Sequence, residues 1–526
     1  MGNTSKKLAA KCTLLTKDEQ KHVAATFRAA SKNSDKIRED DLIKFWGSQI
    51  DPRLAQYLSN FLFGSGSDKA STVDFNRFAE LYVYNVRGTN DERMLVTYNS
   101  LGKDYNGDME LPYQLLKEYC ESIASTYIKI VKASTSKRGQ TWISKGFRGK
   151  ASHVQALGEA VAASIWGTDM DTPINHCTAT QVEKWLQTNT LLKQLAELVY
   201  MNLYGINRKQ EDDSPAPAPM PSLLPMPDGL DSMPDYPAFI DLSHIVWLNS
   251  HIPQKHQHKW RFLFSSHIHG ESFSTMAGRI QDQGPSIIII EDNGGHIFGG
   301  FATASWAISP NWTGTEDSFL FTVAPKMRVY PATTFNNHYQ YMNSHTKTLP
   351  NGLLMGGQFN FGGIFINADP FGEGSSAESC STYRGYKRLS KDTDFHIRSL
   401  EVWGVGDKPL TEKESSSVLD TPDRKFLQII GKPMHSDGFR GENCSLRCPS
   451  IVDCDINYVV YGQEDFQRKN SLELSIQVGL YLTLFCLCFQ DERDVSVLDT
   501  NPEAKAILEM AGKTRHSEGI REPPPL

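Results

Sequence analysis

Two periodicities divide this chain. From Thr16 to about Gly205, apolar residues recur every three or four positions, as in HVAATFRAA and VEKWLQTNTLLKQLAELVYMNLYG, the spacing that lines one face of a helix. Thr16 with Glu19, and Thr178 with Gln181, form capping boxes at two helix starts, where each side chain satisfies the other's backbone N–H. Phe61, Phe63, Val73, Phe75, Phe78, Leu81 and Tyr82 supply core to a pair of such helices. Beyond residue 237 the period shortens. WRFLFSS, SIIIIED, HIFGGFATASW, SFLFTVAP, LLMGGQFNFGGIFIN and SLEVWGVG are apolar runs bounded by Gly, Asn and Pro, which predicts strands with tight turns. GESFSTMAGRI reads as a short helix between the first two. Ile287 to Ile290 are apolar at every position, so both faces of that strand are expected to be covered.

The result is an α+β chain. Residues 1–135 read as an EF-hand-like helical domain and 136–210 as a second helical domain. Residues 211–237, rich in proline, read as an extended linker, and 238–407 as the β-rich domain. Within the first region, LGKDYNGDMELPY resembles a calcium loop with Gly107 at the turn, Met109 at the apolar position, and Asp104 and Asn106 as oxygen donors. The first and twelfth positions then hold Gly102 and Tyr113, which predicts a loop kept for packing. From Ser122 to Gly158 no acid occurs, while Lys129, Lys132, Lys137, Arg138, Lys145, Arg148 and Lys150 are basic. A solvated loop between helical modules is expected there, with contact to an anionic membrane surface as the functional alternative.

Candidate chemistry is sparse. In HIHGE, His267, His269 and Glu271 alternate, and on a strand they would offer a metal two imidazoles and a carboxylate. That arrangement needs the strand to run through Gly270, and the helix-like GESFS argues against it. No G-x-S-x-G, Walker A or G-x-G-x-x-G pattern is present. The pairs Gly299–Gly300, Gly356–Gly357 and Gly362–Gly363 lie in or beside strands, where glycine permits a bulge or close backbone approach. No catalytic residue and no cofactor follow. A net charge of −7 argues against nucleic acid as the main partner. The nine cysteines and the absence of an apolar run in MGNTSKKLAA point to reduced thiols and a cytosolic chain.

The end of the chain repeats itself. SVLDT occurs at 417–421 and 496–500, and each copy opens a short helix written in the same way. In the second, Asn501 is the N-cap, Pro502 takes the first helical position, Gly512 is the stop, and RHSEGIRE follows. In the first, Thr421, Pro422 and Gly431 take those roles before MHSDGFRG. Helices this short are marginal alone. A docking surface is therefore expected, with Asn501, Pro502, Ile507, Leu508, His516 and Arg521 as the partner-binding residues. Residues 408–441 and 496–526 are thus two copies of one motif, and 442–495 is a cysteine-rich, partly apolar insert. CSLRCPSIVDC lacks a fourth zinc ligand, and VGLYLTLFCLCF is too short to span a bilayer. Either the motif is duplicated around a real insert, or alternative last exons have been translated together with non-coding sequence. The insert's composition favours the second.

The ordered runs from WRFLFSSHIHGESFSTM to DFHIRSLEVWGVG resemble a TLDc domain over about Ala238 to Gly406. The resemblance implies a two-sheet β-sandwich with flanking helices and no established catalytic residues. It also implies a link to oxidative-stress resistance and to binding and regulation of the vacuolar proton-pumping ATPase. His269, Gly270 and Ser272 become the family's His-Gly-x-Ser turn and, with Gly299, Gly300, Gly356 and Gly357, structural signature positions. The order of modules resembles the branch of the family associated with mTOR, which implies a non-catalytic adaptor in the cytoplasm and on the cytosolic face of the lysosomal membrane. Its expected partners are mTOR and the vacuolar ATPase. Gly2 is the candidate acceptor for a myristoyl group, with Lys6 where the usual pattern has Ser or Thr. A single myristoyl chain binds membranes with K on the order of 10⁴ M⁻¹, so a second signal is needed, for which Lys6, Lys7 and Lys11 are suited. The alternative reading is an oxidative-stress-resistance protein, or a metal-dependent enzyme built on His267, His269 and Glu271.

Overall fold

In the computed structural model, residues 15–65, 69–103, 109–167, 175–206, 223–231, 233, 236–359 and 361–409 are described. Gly2, Asp104, Asn106, both copies of the tail motif with Asn501, Pro502, Ile507, Leu508, His516 and Arg521, and the cysteine-rich insert lie outside those residues.

The first half is helical: α1 (Lys17–Ala30), α2 (Glu39–Trp46), α3 (Pro52–Phe63), α4 (Phe75–Val86), α5 (Asn90–Ser100), α6 (Tyr113–Ala133), α7 (Lys137–Ser144), α8 (Ala151–Ala163), α9 (Ala179–Thr188) and α10 (Thr190–Leu203). The capping boxes of Thr16 with Glu19 and Thr178 with Gln181 are formed, and Thr89 with Glu92 adds a third at the start of α5. Between α1 and α2, β1 (Ile37–Arg38) pairs antiparallel with β2 (Thr72–Val73), which lies between α3 and α4. Likewise β3 (Leu111–Pro112), between α5 and α6, pairs with β4 (His176–Cys177), between α8 and α9. Each two-residue ladder thus joins two helix–loop–helix units, the way EF-hands pair.

The basic stretch from Ser122 to Gly158 is not a solvated loop. It forms the end of α6, all of α7 and the start of α8, and α6 and α8 lie so close that a Cβ at Gly158 would fall 2.6 Å from the backbone nitrogen of Glu121. The regions expected as separate domains on either side of residue 135 therefore share one core. Lys129, Lys132, Arg138 and Lys145 donate to the carbonyls of Ile50, Gly149, Leu224 and Met233.

The second half is a β-sandwich. After α11 (Leu242–His251) come β6 (Lys259–Ser265), α12 (Ser266–His269), α13 (Phe273–Ile280), β7 (Ser286–Asp292), β8 (Ile297–Ala302), β9 (Phe319–Ala324), β10 (Arg328–Pro331), β11 (Tyr341–Asn343), β12 (Gly352–Gln358), β13 (Phe361–Asn367), β14 (Glu373–Ser375) and β15 (Asp394–Val405). The strand order is β10-β9-β8-β7-β15-β14-β13-β12-β11, with β6 also on β15. β15 serves both sheets: Asp394–His396 pairs with β14, and the strand from Ile397 onward pairs with β7, joined from Glu401 by β6. Register shifts after Ile397 and Val402 let it bend between them. Ile288, Ile290, Phe298, Leu320 and Val402 meet Leu353, Met355, Ile364 and Ile366 inside the sandwich. Ile287, Ile289, Phe321, Trp403 and Val405 belong to the other core, shared with Trp142 and Phe147 of the helical half. The all-apolar strand is covered on both faces as its sequence predicts, and the described residues form three layers.

The proline-rich segment needs correction at its end. β5 (Met226–Asp228) runs parallel to β6, and Leu223, Leu224 and Leu230 beside it are buried, so β5 belongs to the sheet and its flanks pack into the core. Pro225 and Pro227 are tolerated because β5 is an edge strand and one side of it needs no N–H.

Gly158→Ala tests the helix packing. Alanine gains about 1 kcal/mol of helix propensity, but the backbone of Glu121 cannot retreat, and overpacking costs roughly 1–3 kcal/mol. A net loss in denaturant unfolding is expected; an unchanged or raised midpoint would contradict the close approach.

Candidate functional site

The HIHGE segment is not a strand. Ser266–His269 form the single turn α12, ended by Gly270 at φ +82°. His267 is exposed and its Nε2 lies 2.7 Å from Ser399 Oγ. The His269 ring is stacked on Phe262 and Phe264, with Nδ1 accepting the N–H of Ser265 at 3.1 Å, and burial lowers its pKa. Ser272 Oγ caps α13 by accepting from Thr275 N–H, and Glu271 is exposed. The two imidazoles are thus taken up by different partners. Among the described residues no group of three His, Cys, Asp or Glu side chains is placed to hold a metal ion.

The glycine pairs answer to space. A Cβ on Gly299 would run into the carbonyl of Ile288 and stand 2.7 Å from the Phe321 ring, and one on Gly300 would meet Met355 Sδ at 2.5 Å. Gly356 and Gly357 both have positive φ, at +72° and +77°, where β12 turns under Tyr383 and Cys380.

The ladders also reset the calcium-loop register. Taking the ladder residue as the eighth loop position, Leu111 makes Asp104 first, Asn106 third and Leu115 twelfth, two residues on from the expected count with Gly102 first, Met109 eighth and Tyr113 twelfth. The other three loops carry Asp41, Arg77 and Gln181 at the twelfth place. Only Asp41 is a carboxylate, and Lys32 (2.7 Å) and Arg38 (2.8 Å) already neutralise it.

The densest polar construction lies where the helical layer meets the sandwich. Asp241, buried at the start of α11, accepts N–H bonds from Leu242 at 2.9 Å and from Gly149 and Lys150 at 2.5 Å, and its Oδ2 is 3.0 Å from His153 Nδ1. One carboxylate therefore serves the residues that lead into α8 and the first turn of α11 together. Burial acts to raise its pKa, but the bonds from His153 and the three N–H groups outweigh this and hold it well below the usual carboxylate range. Its own N–H donates to His244 Nδ1 at 3.2 Å, and burial, with His153 adjacent, lowers His244 to about 3, so that ring is a neutral acceptor.

Aromatic rings fill the rest of the joint. Trp142 donates Nε1–H to the carbonyl of Pro225 at 2.7 Å and lies 5.4 Å from Trp403 and 4.7 Å from Phe147. Phe147 stacks on Tyr236 at 5.6 Å. Beneath them Glu401, 1% exposed, accepts from Trp403 Nε1 at 2.9 Å, while its Oε1 has no hydrogen-bond partner. The Tyr236 hydroxyl is within electrostatic reach of Glu401 but short of full hydrogen-bond geometry, and Ser265 Oγ, on the residue across the ladder, is buried without a partner. Burial raises the Glu401 carboxyl to about 7, against smaller lowering by Tyr236 and Trp403.

Asp241, Glu401 and Trp142 were not marked by sequence reasoning. The N-cap position of Asp241 before LSHIVW was a readable sign, and so was an acid inside the apolar run SLEVWGVG. Elsewhere on the sandwich Phe335 and Phe361 are exposed, and Trp312 stacks on His338 (4.7 Å) and Phe359 (5.4 Å); exposed apolar side chains are a feature that protein contacts use.

Asp241→Ala leaves three backbone donors short of an acceptor and is expected to cost about 2–4 kcal/mol in urea unfolding at neutral pH. Because the folded pKa is depressed, the wild-type advantage is present above the unfolded value, about 3.9, and is lost as pH falls below it. The gap between variant and wild type should accordingly narrow in acid, and a gap independent of pH would contradict the charge's role.

The TLDc-domain family model matches residues 233–406. The mTOR-associated protein MEAK7 of Xenopus laevis is 32% identical over 392 residues, covering 71% of this chain and 82% of its own length. Its human counterpart is 27% identical over 465 residues, covering 84% of this chain and 99% of its own length. Human nuclear receptor coactivator 7 is 32% identical over 168 residues, 32% of this chain and 17% of its own length. The first two likenesses run well beyond the sandwich into the helical layer, and with them this chain belongs to the family of TLDc-domain proteins that includes MEAK7.

Proposed function

We propose that the chain is a non-catalytic adaptor that supports mTOR signalling at the cytosolic face of the lysosomal membrane and binds the vacuolar proton-pumping ATPase. The observation that carries the reading is the likeness, through both halves, to proteins named for association with mTOR. The fold is consistent with it: the buried polar groups described above cap helices and close a joint, and the exposed side chains of Phe335 and Phe361 are suited to protein contact. Pump binding rests on the TLDc resemblance. Membrane attachment rests on Gly2 as a myristoyl acceptor, aided by Lys6, Lys7 and Lys11. Among the described residues no helix is long and apolar enough to cross a membrane.

The full chain, purified from cells, is expected to bring down mTOR and assembled proton pump and to sediment with lysosomal membranes. Gly2→Ala should move it from the membrane pellet to the supernatant by roughly tenfold or more, since the lysines alone add only about 1 kcal/mol each. Recovery of neither mTOR nor pump would remove the adaptor reading; an unchanged pellet in Gly2→Ala would remove the lipid anchor alone.

A further inference from the structure

We propose that Glu401 is a proton-operated latch on the joint between the helical layer and the sandwich: the neutral carboxyl keeps the joint closed, and the carboxylate loosens it and uncovers the sheet face around Trp403. The latch is independent of which partner the chain binds.

The geometry gives a charge at Glu401 nothing to pair with. Across the ladders it faces Ser265 of β6 and Ile289 of β7, and along its own strand Trp403, whose indole N–H donates to it, with the neutral Tyr236 hydroxyl beside it. Several cations of neighbouring elements are engaged elsewhere. On β6, Lys259 pairs with Asp228, and Arg261 donates to the carbonyls of Gly406 and Gln283. On α7, Arg138 holds the Leu224 carbonyl, and beyond its end Lys145 holds that of Met233. On β7, Glu291 faces Arg398 at 3.5 Å and Asp292 takes the His296 N–H. Tyr236 is the titratable side chain that acts on Glu401, and it carries no positive charge. An ionised carboxylate left in such a site is costly, and the direct relief is to admit water.

The same contacts carry that strain to the joint. Tyr236, beside the carboxyl, is stacked on Phe147 and lies 6.1 Å from Trp403, which in turn packs on Trp142. Water admitted beside Tyr236 and Trp403 would loosen the ring packing through which Phe147 and Trp142 hold the helical layer on the sheet. A group whose pKa is raised in the closed form favours closure fully below its free value, about 4.3, and loses that contribution as pH rises to about 7.

Hydrogen–deuterium exchange of the full chain, followed by mass spectrometry across pH and expressed as protection factors, reads the joint directly. In wild type, protection of α7 and α11 should fall by up to about tenfold per pH unit between about 5 and 7 and level off above. Glu401→Gln keeps the shape without the charge and should hold protection high and flat. Tyr236→Phe removes a group that favours the charged form, so its transition should remain and move to higher pH, which keeps the test decisive if the first variant fails to fold. Flat protection in wild type, the wild-type slope persisting in Glu401→Gln, or an equal loss across every helix would overturn the latch.

Discussion

The carboxylate of Asp241 accepts backbone N–H groups of Gly149 and Lys150 on one side and of Leu242 on the other, so the lead-in to α8 and the first turn of α11 share a single acceptor. Neither helix can move from the other without leaving N–H groups unsatisfied, at roughly 1–3 kcal/mol for each buried one. This fixes α8 against the sandwich, and α8 in turn fixes α6 through the contact at Gly158. Trp142 and Phe147, carried between them, are thereby delivered onto Trp403 and Tyr236. The three-layer order depends on that one charge, held where water does not reach it.

The joint combines two kinds of constraint that differ in specificity. Ring packing among Trp142, Phe147, Tyr236, Trp260 and Trp403 supplies apolar burial, which is strong but indifferent to small shifts. The bonds at Asp241 and from Trp142 to Pro225 fix orientation, and they fail abruptly when geometry is lost. Glu401 sits among the rings and accepts one bond, from the Trp403 indole, while its other carboxyl oxygen is buried without a partner.

Much of the fold was legible because it is local. Capping boxes lie within four residues, and the four successive isoleucines of β7 announce a strand with no wet face. What escaped is long-range. Asp241 announces one cap by its place before α11, but its second taker lies 92 residues away. The acid-free stretch looked solvated because its lysines had no carboxylates nearby, and they proved to hold carbonyls from distant segments. The calcium-loop register slipped by two because Met109 and Leu111 are both apolar, and only the ladder to Cys177 chooses between them. HIHGE alternates like a strand, but Gly270 at positive φ and the cap at Ser272 end the alternation before Glu271 can join.

β15 belongs to both leaves of the sandwich, pairing with β14 at one end and with β7 and β6 along the rest. A sandwich of two separate sheets can lose one leaf and keep the other as a partly folded remnant. Here the leaves are one piece of backbone folded over, and opening either tears the hydrogen-bonded seam of the other. The two sheets therefore form a single cooperative unit.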